Sequence, residues 1–145
     1  MGLRNARSEQ VANGVWHRTE QEWAHIEKPI KLLDHEIARF ADKHGINISK
    51  NKKDWPERSL RWGNDIQCLI QVYLADQDTL TLNLWICASQ DRGKQRYWKR
   101  EFLIHEAQVS DVENSLFGVL ELGKQRLDLW SAHPEELEFA TELNV

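Results

Sequence analysis

Cysteine is almost missing from this sequence. Cys68 and Cys87 are the only two, in no CxxC pair and in no cluster with histidine. A disulfide-dense scaffold is thereby excluded and no structural zinc site is signalled, so neither a metal nor a cofactor is expected. Three prolines and seven glycines are too few for a collagen-like or low-complexity chain. No apolar run approaches the roughly 20 residues of a membrane helix, so no membrane partner is expected either. Charge of one sign is also in short supply. The 19 Lys and Arg against 23 Asp and Glu leave a formal charge of -4, too mild to name a partner; nucleic acid would need a local patch.

What is present is enough for a core. In 145 residues, 41% are hydrophobic and 29% charged, the balance of one soluble globular domain that buries its apolar side chains without disulfide support. The opening MGLRNARSEQVANG has no apolar stretch behind its basic residues, and Ala6 stands where a myristoylation motif wants Ser or Thr. The sequence therefore reads as a cytoplasmic protein, with a flexible leader over residues 1–15 and a single α+β domain over 16–145.

Hydrophobic periodicity changes twice along that domain. Thr19 and Glu22 offer a capping box, and Ile30, Leu33, Ile37 and Phe40 or Ala41 fall on one face of a 3.6-residue period. Pro29 is expected to interrupt or kink this helix, which spans about 19–44, and Gly45 to cap it. Residues 46–58 read as a connection with room for a short strand. From Leu60 the period becomes two: Leu60, Trp62, Ile66, Cys68, Ile70, Val72 and Leu74 share one parity against Arg61, Asp65, Gln67 and Gln71, with a bend at Gly63-Asn64. A turn at 75–78 leads into Leu80, Leu82, Leu84 and Ile86, and a third strand covers Tyr97 to Glu106 with Trp98, Phe102 and Ile104 on one parity. Ser110 and Glu113 then offer a second capping box before a stripe of Leu116, Val119, Leu120, Gly123, Leu127 and Trp130, and Pro134 starts a short last helix docked by Leu137 and Phe139. The expected fold is an N-terminal helical segment, a three-stranded or slightly larger antiparallel meander, and C-terminal helices packed on one sheet face.

Two features of this pattern bear on function. Trp85, one of seven tryptophans, shares the parity of Thr79, Thr81 and Asn83, so it should point away from the core face and stand exposed as an interface anchor. Charge is also uneven: residues 50–100 hold 10 basic against 6 acidic side chains, and residues 101–145 hold 2 against 10. Opposite-signed surfaces steer association and select register. The leading expectation is a protein-binding module, such as an adaptor, chaperone or inhibitor of another protein, that uses Trp85, Thr81, Asn83, Arg96 and Lys99. A homodimer is the other protein partner considered.

The second expectation is RNA or single-stranded nucleic acid bound through Arg92, Lys94, Arg96, Tyr97, Lys99 and Arg100, where basic side chains interleave with aromatic ones. The third is a small-molecule enzyme, which needs a concave pocket gathering polar residues distant in sequence. No HExxH, GxSxG or P-loop spacing occurs, and no catalytic residue stands out. Cys68 belongs to the core parity as a small hydrophobe, whereas Cys87, on the other parity at a strand end, is expected to be accessible.

Overall fold

The computed structural model describes residues 20–51, 55–76, 79–92, 96–135 and 137, with the backbone alone for 20–26, 91–92 and 96–98. The leader, Thr19 and Phe139 lie outside the described residues.

The first helix, α1 (Glu20–His44), follows the apolar stripe, with Ile30, Leu33, Ile37, Phe40 and Ala41 all buried. Pro29 neither ends nor divides it. A proline removes one ladder hydrogen bond and crowds the preceding turn, and continuous burial of the stripe from Ile30 onward offsets that loss. Gly45 closes the helix with φ 65°: its amide reaches the Asp42 carbonyl and that of Ile46 the Ala41 carbonyl at 2.9 Å, a Schellman pair that leaves Ile46 buried.

Five strands follow as an antiparallel meander in chain order: β1 (Asn47–Lys50), β2 (Glu57–Trp62), β3 (Ile66–Asp76), β4 (Thr81–Arg92) and β5 (Arg96–Gln108). The stretch expected to be one bent strand from Leu60 to Leu74 is therefore two. Gly63, at φ 104°, turns the chain, and a Cβ there would sit 2.1 Å from the Ile66 carbonyl oxygen, so only glycine fits. Register puts Leu60, Ile70 and Ile86 in one row and Val72 beside Leu84, all buried on a single face.

That face is covered by α1, the one-turn α2 (Val109–Val112) and α3 (Leu116–Ala132). The Ser110–Glu113 capping box does not form. Gln108 is the N-cap of α2 and Ser115 that of α3, and neither side chain makes a cap hydrogen bond. The expected stripe of α3 holds, with Leu116, Leu120, Gly123, Leu127 and Trp130 buried. Beyond it, Leu137 is buried and its amide reaches the Pro134 carbonyl at 3.0 Å. The architecture is thus α+β: an N-terminal helix, a multi-stranded antiparallel sheet, and C-terminal helices on one of its faces. Among the described residues no helix is long and apolar enough to cross a membrane.

Candidate functional site

Alternation leaves the other sheet face with its own row of side chains. No helix or strand among the described residues packs on it. Trp85 lies near its middle, paired in register with Gln71 of β3 and Leu103 of β5; Asn83 and Cys87 stand two residues away on the same strand. Tyr73 pairs with Asn83, and Leu69 with Cys87. The result is a strip of aromatic and aliphatic surface framed by amides and hydroxyls.

Thr81, Asn83 and Trp85 share this face as expected, but all three are half-buried. Trp85 does not stand out as an exposed side chain. In the interior of a five-stranded sheet an indole is flanked on both sides by neighbouring strands, which take part of its surface. Cys87 departs further from expectation: it is 7% exposed. Burial, and then the Glu101 carboxylate, push its thiol up to about 11, with Lys99 opposing, so it is protonated at neutral pH and not a reactive thiolate.

Polar contacts on the face are local. Thr81 Oγ1 meets Thr79 Oγ1 at 2.7 Å and accepts from Gln108 Nε2 at 3.3 Å; Gln71 Nε2 donates to Glu57 at 3.0 Å; Asn83 Nδ2 donates to the Tyr73 hydroxyl at 3.4 Å. Asn83 Oδ1 is the exception. It is shielded from water and has no hydrogen-bond partner. A buried acceptor left unmade costs of order 1–3 kcal/mol, and because this oxygen is closed to solvent it is equally closed to a ligand docked on the face.

A bulge decides which β5 residues join the face. Between Leu84 and Trp85 the register shifts: Leu84 pairs with His105 but Trp85 with Leu103, so Ile104 is the extra residue. Its Cδ1 lies against the Gly123 position of α3, and Leu103 stands opposite Trp85. Sequence reasoning passed over Leu69, Gln71, Tyr73 and Leu103. The signal for them was present, since each is the non-core parity of an alternating run, and Leu69, Tyr73 and Leu103 are apolar or aromatic where solvent-facing residues are expected.

The basic segment is not gathered into one strip. Lys94 lies outside the described residues, and for Arg92, Arg96 and Tyr97 only register is described: Arg92 pairs with Arg96, and Asp91 with Tyr97. Lys99 is on the open-face parity and reaches Glu101 at 2.8 Å. Arg100 is on the opposite parity, its guanidinium 5.3 Å from the Trp130 ring centroid of α3. The two adjacent cations thus serve opposite faces of the sheet.

A separate cleft of about 440 Å³ opens at the β2–β3 turn, where Trp62, Asp65, Cys68, Gln90, Asp128 and Ser131 converge. It does join polar residues distant in sequence. Ser131 Oγ donates to the Leu127 carbonyl at 2.9 Å, so the Cys68 thiol is the donor in its 3.3 Å contact with Ser131. Burial raises the Cys68 pKa, and among the described residues the ionisable groups lining the cleft with it are Asp65 and Asp128. Among the described residues no group of His, Cys, Asp and Glu side chains is placed to hold a metal ion.

No family model, curated protein or solved structure matches the chain.

Proposed function

We propose that the chain is a soluble cytoplasmic protein-binding module, of adaptor, chaperone or inhibitor type, whose recognition surface is the open sheet face centred on Trp85. The observation that carries this reading is a half-buried indole, Trp85, set among Leu103, Tyr73 and Leu69 on a face that no described helix or strand covers. An indole in a partly desolvated setting supplies the apolar anchor that dominates binding energy in protein interfaces. The occupant this surface suits is a segment of another protein that presents an apolar side chain.

Quantitative affinity capture from the native host, comparing the full chain with Trp85→Ala and Asn83→Leu, tests this. Partners recovered with the wild-type chain and lost at least about tenfold with Trp85→Ala, while circular dichroism and thermal melting are retained, are the expected result. Asn83→Leu removes the contact that Asn83 Nδ2 makes with the Tyr73 hydroxyl beside Trp85 and should weaken the same partners. Recovery of the same partners at the same level with folded Trp85→Ala would remove this face as the recognition surface.

A further inference from the structure

Among the described residues, the large hydrophobic side chains left exposed are Phe102, Leu103, Leu122 and Leu129, at 46–59% exposure. They are not scattered. Phe102 and Leu103 lie on β5, the last strand of the sheet, whose outer edge pairs with no described strand. Leu122 and Leu129 lie on α3, and the contacts of that helix fix which way they turn. Phe117 and Glu121, on one flank of the buried stripe, meet Phe40 and Lys43 of α1. At about 100° per residue, Leu122 and Leu129 fall on the opposite flank, toward β5. Trp130, within the stripe, has its ring centroid 6.4 Å from that of Phe102. Phe102, Leu122 and Leu129 therefore lie on the helix side of the open strand edge, and Leu103 borders the same edge from the opposite face, beside Trp85.

We infer that this edge receives a second copy of the chain, with β5 pairing antiparallel to β5 of the other copy so that the two sheets join into one. A long edge strand is a template for pairing, and charges on it ordinarily block that pairing. Here the charges are self-complementary. Regular pairing of β5 with β4 runs from Arg96 to Leu103 before the bulge at Ile104. A two-fold axis at Arg100 uses most of that stretch and sets Lys99 of each copy opposite Glu101 of the other. Within one chain these two groups already sit 2.8 Å apart, so about the axis they form a square of alternating sign. Arg100 meets its own symmetry mate at the axis, a like-charge position, but its guanidinium is drawn to the Trp130 ring on the helix side. On that same side Phe102, Leu122 and Leu129 of both copies turn inward, and the interface is isologous, as closed two-fold assembly requires. The open face with Trp85 is left free and becomes continuous across the joined sheets.

Sedimentation of the full chain over a wide concentration range, with three variants, tests this. The wild-type chain is expected to sediment at twice the monomer mass and to dissociate on dilution. Leu122→Glu combined with Leu129→Glu changes only exposed positions, so folding should survive, and the dimer should weaken by at least about tenfold. Arg100→Cys should oxidise to a covalent dimer, because residues facing one another at the axis of an antiparallel pair lie within disulfide reach and the two native thiols are buried. Trp85→Ala should leave the dimer intact. A chain monomeric at every concentration overturns the inference, as does a dimer indifferent to the leucine changes that does not cross-link through position 100. A dimer lost in Trp85→Ala would assign self-association to the open face and equally overturn it.

Discussion

Arg58 reaches out of β2 and lays two nitrogens on the Asp34 carboxylate of α1, Nε to Oδ1 at 2.9 Å and Nη2 to Oδ2 at 3.2 Å. The arginine is 1% exposed, stacks with its guanidinium carbon 4.5 Å from the Trp55 ring centroid, and donates its remaining Nη1 to the Glu57 carbonyl at 3.0 Å. Trp55 Nε1 donates to the same carboxylate at 3.3 Å. This network fastens the helix to the sheet at the β2 side, away from the β5 edge. Breaking a buried pair by removing one member leaves the other charge uncompensated. Asp34→Ala should therefore destabilise the fold by about 3–5 kcal/mol in urea unfolding, and Arg58→Met, which leaves behind only the more exposed carboxylate, by clearly less. Equal losses in the two variants would show that the charge is not what matters at this site.

The two glycines of α3 make opposite predictions from the same substitution. A Cβ at Gly123 would meet Ile104 Cδ1 at 2.9 Å and Ile86 Cγ2 at 3.1 Å, whereas one at Gly118 would meet nothing within 4 Å. Alanine gains about 1 kcal/mol over glycine in an exposed helix position, and overpacking a tight core contact costs about 1–3 kcal/mol. Gly118→Ala should raise stability by up to about 1 kcal/mol, and Gly123→Ala should lower it by a similar amount, both read from chemical denaturation. A gain at Gly123 would mean that the sheet gives way to α3 without cost.

These contacts also separate what a sequence can carry from what it cannot. The stripes of α1 and α3 and the alternation of β3 and β4 follow from period alone, and they place Trp85, Asn83 and Thr81 on a common face. Gly63-Asn64 reads as a bend and is a full reversal, because the positive φ of Gly63 is a matter of backbone conformation that composition does not disclose. The bulge at Ile104 shifts the register opposite Trp85 without any glycine or proline to announce it. Asp34 and Arg58 are 24 residues apart, so their pairing exists only once helix and sheet are docked. Cys87 shows the limit of parity most directly: parity puts it on the open face, yet it is 7% exposed.

Burial of Cys87 has a consequence at alkaline pH. Its pKa rises from an ordinary 9.0 to about 11, chiefly by burial and next by the Glu101 carboxylate. A raised folded-state value stabilises the fold below the unfolded-state pKa, and that contribution is lost as pH climbs through the folded value. The stability gap between the wild-type chain and Cys87→Ala should then change in one direction only, against the wild type, between about pH 9 and pH 11. Urea midpoints across that range measure it. In parallel, a thiol reagent at pH 8 should label neither cysteine until the chain is unfolded; rapid labelling of one thiol in the native state would show that the face opens locally.

At the acid end the corresponding group is Glu121. Its carboxylate accepts from Lys43 Nζ at 2.6 Å and lies 3.2 Å from His44 Nε2, both at the C-terminal end of α1. The Lys43 hydrogen bond is the largest influence and lowers the Glu121 pKa below its ordinary 4.5, against a smaller opposing effect of burial. A lowered folded-state value reverses the sign of the cysteine case: the stabilisation is present above the unfolded-state pKa and disappears as pH falls through the folded one. Glu121→Gln should be less stable than the wild-type chain at neutral pH and indistinguishable from it once pH is well below 4.5, with the gap closing as the carboxylate protonates. Because α1 and α3 meet at this contact, the loss should appear as earlier exchange of amides at the end of α1, and a uniform loss across the sheet instead would mean that the ion pair is not what holds the two helices together there.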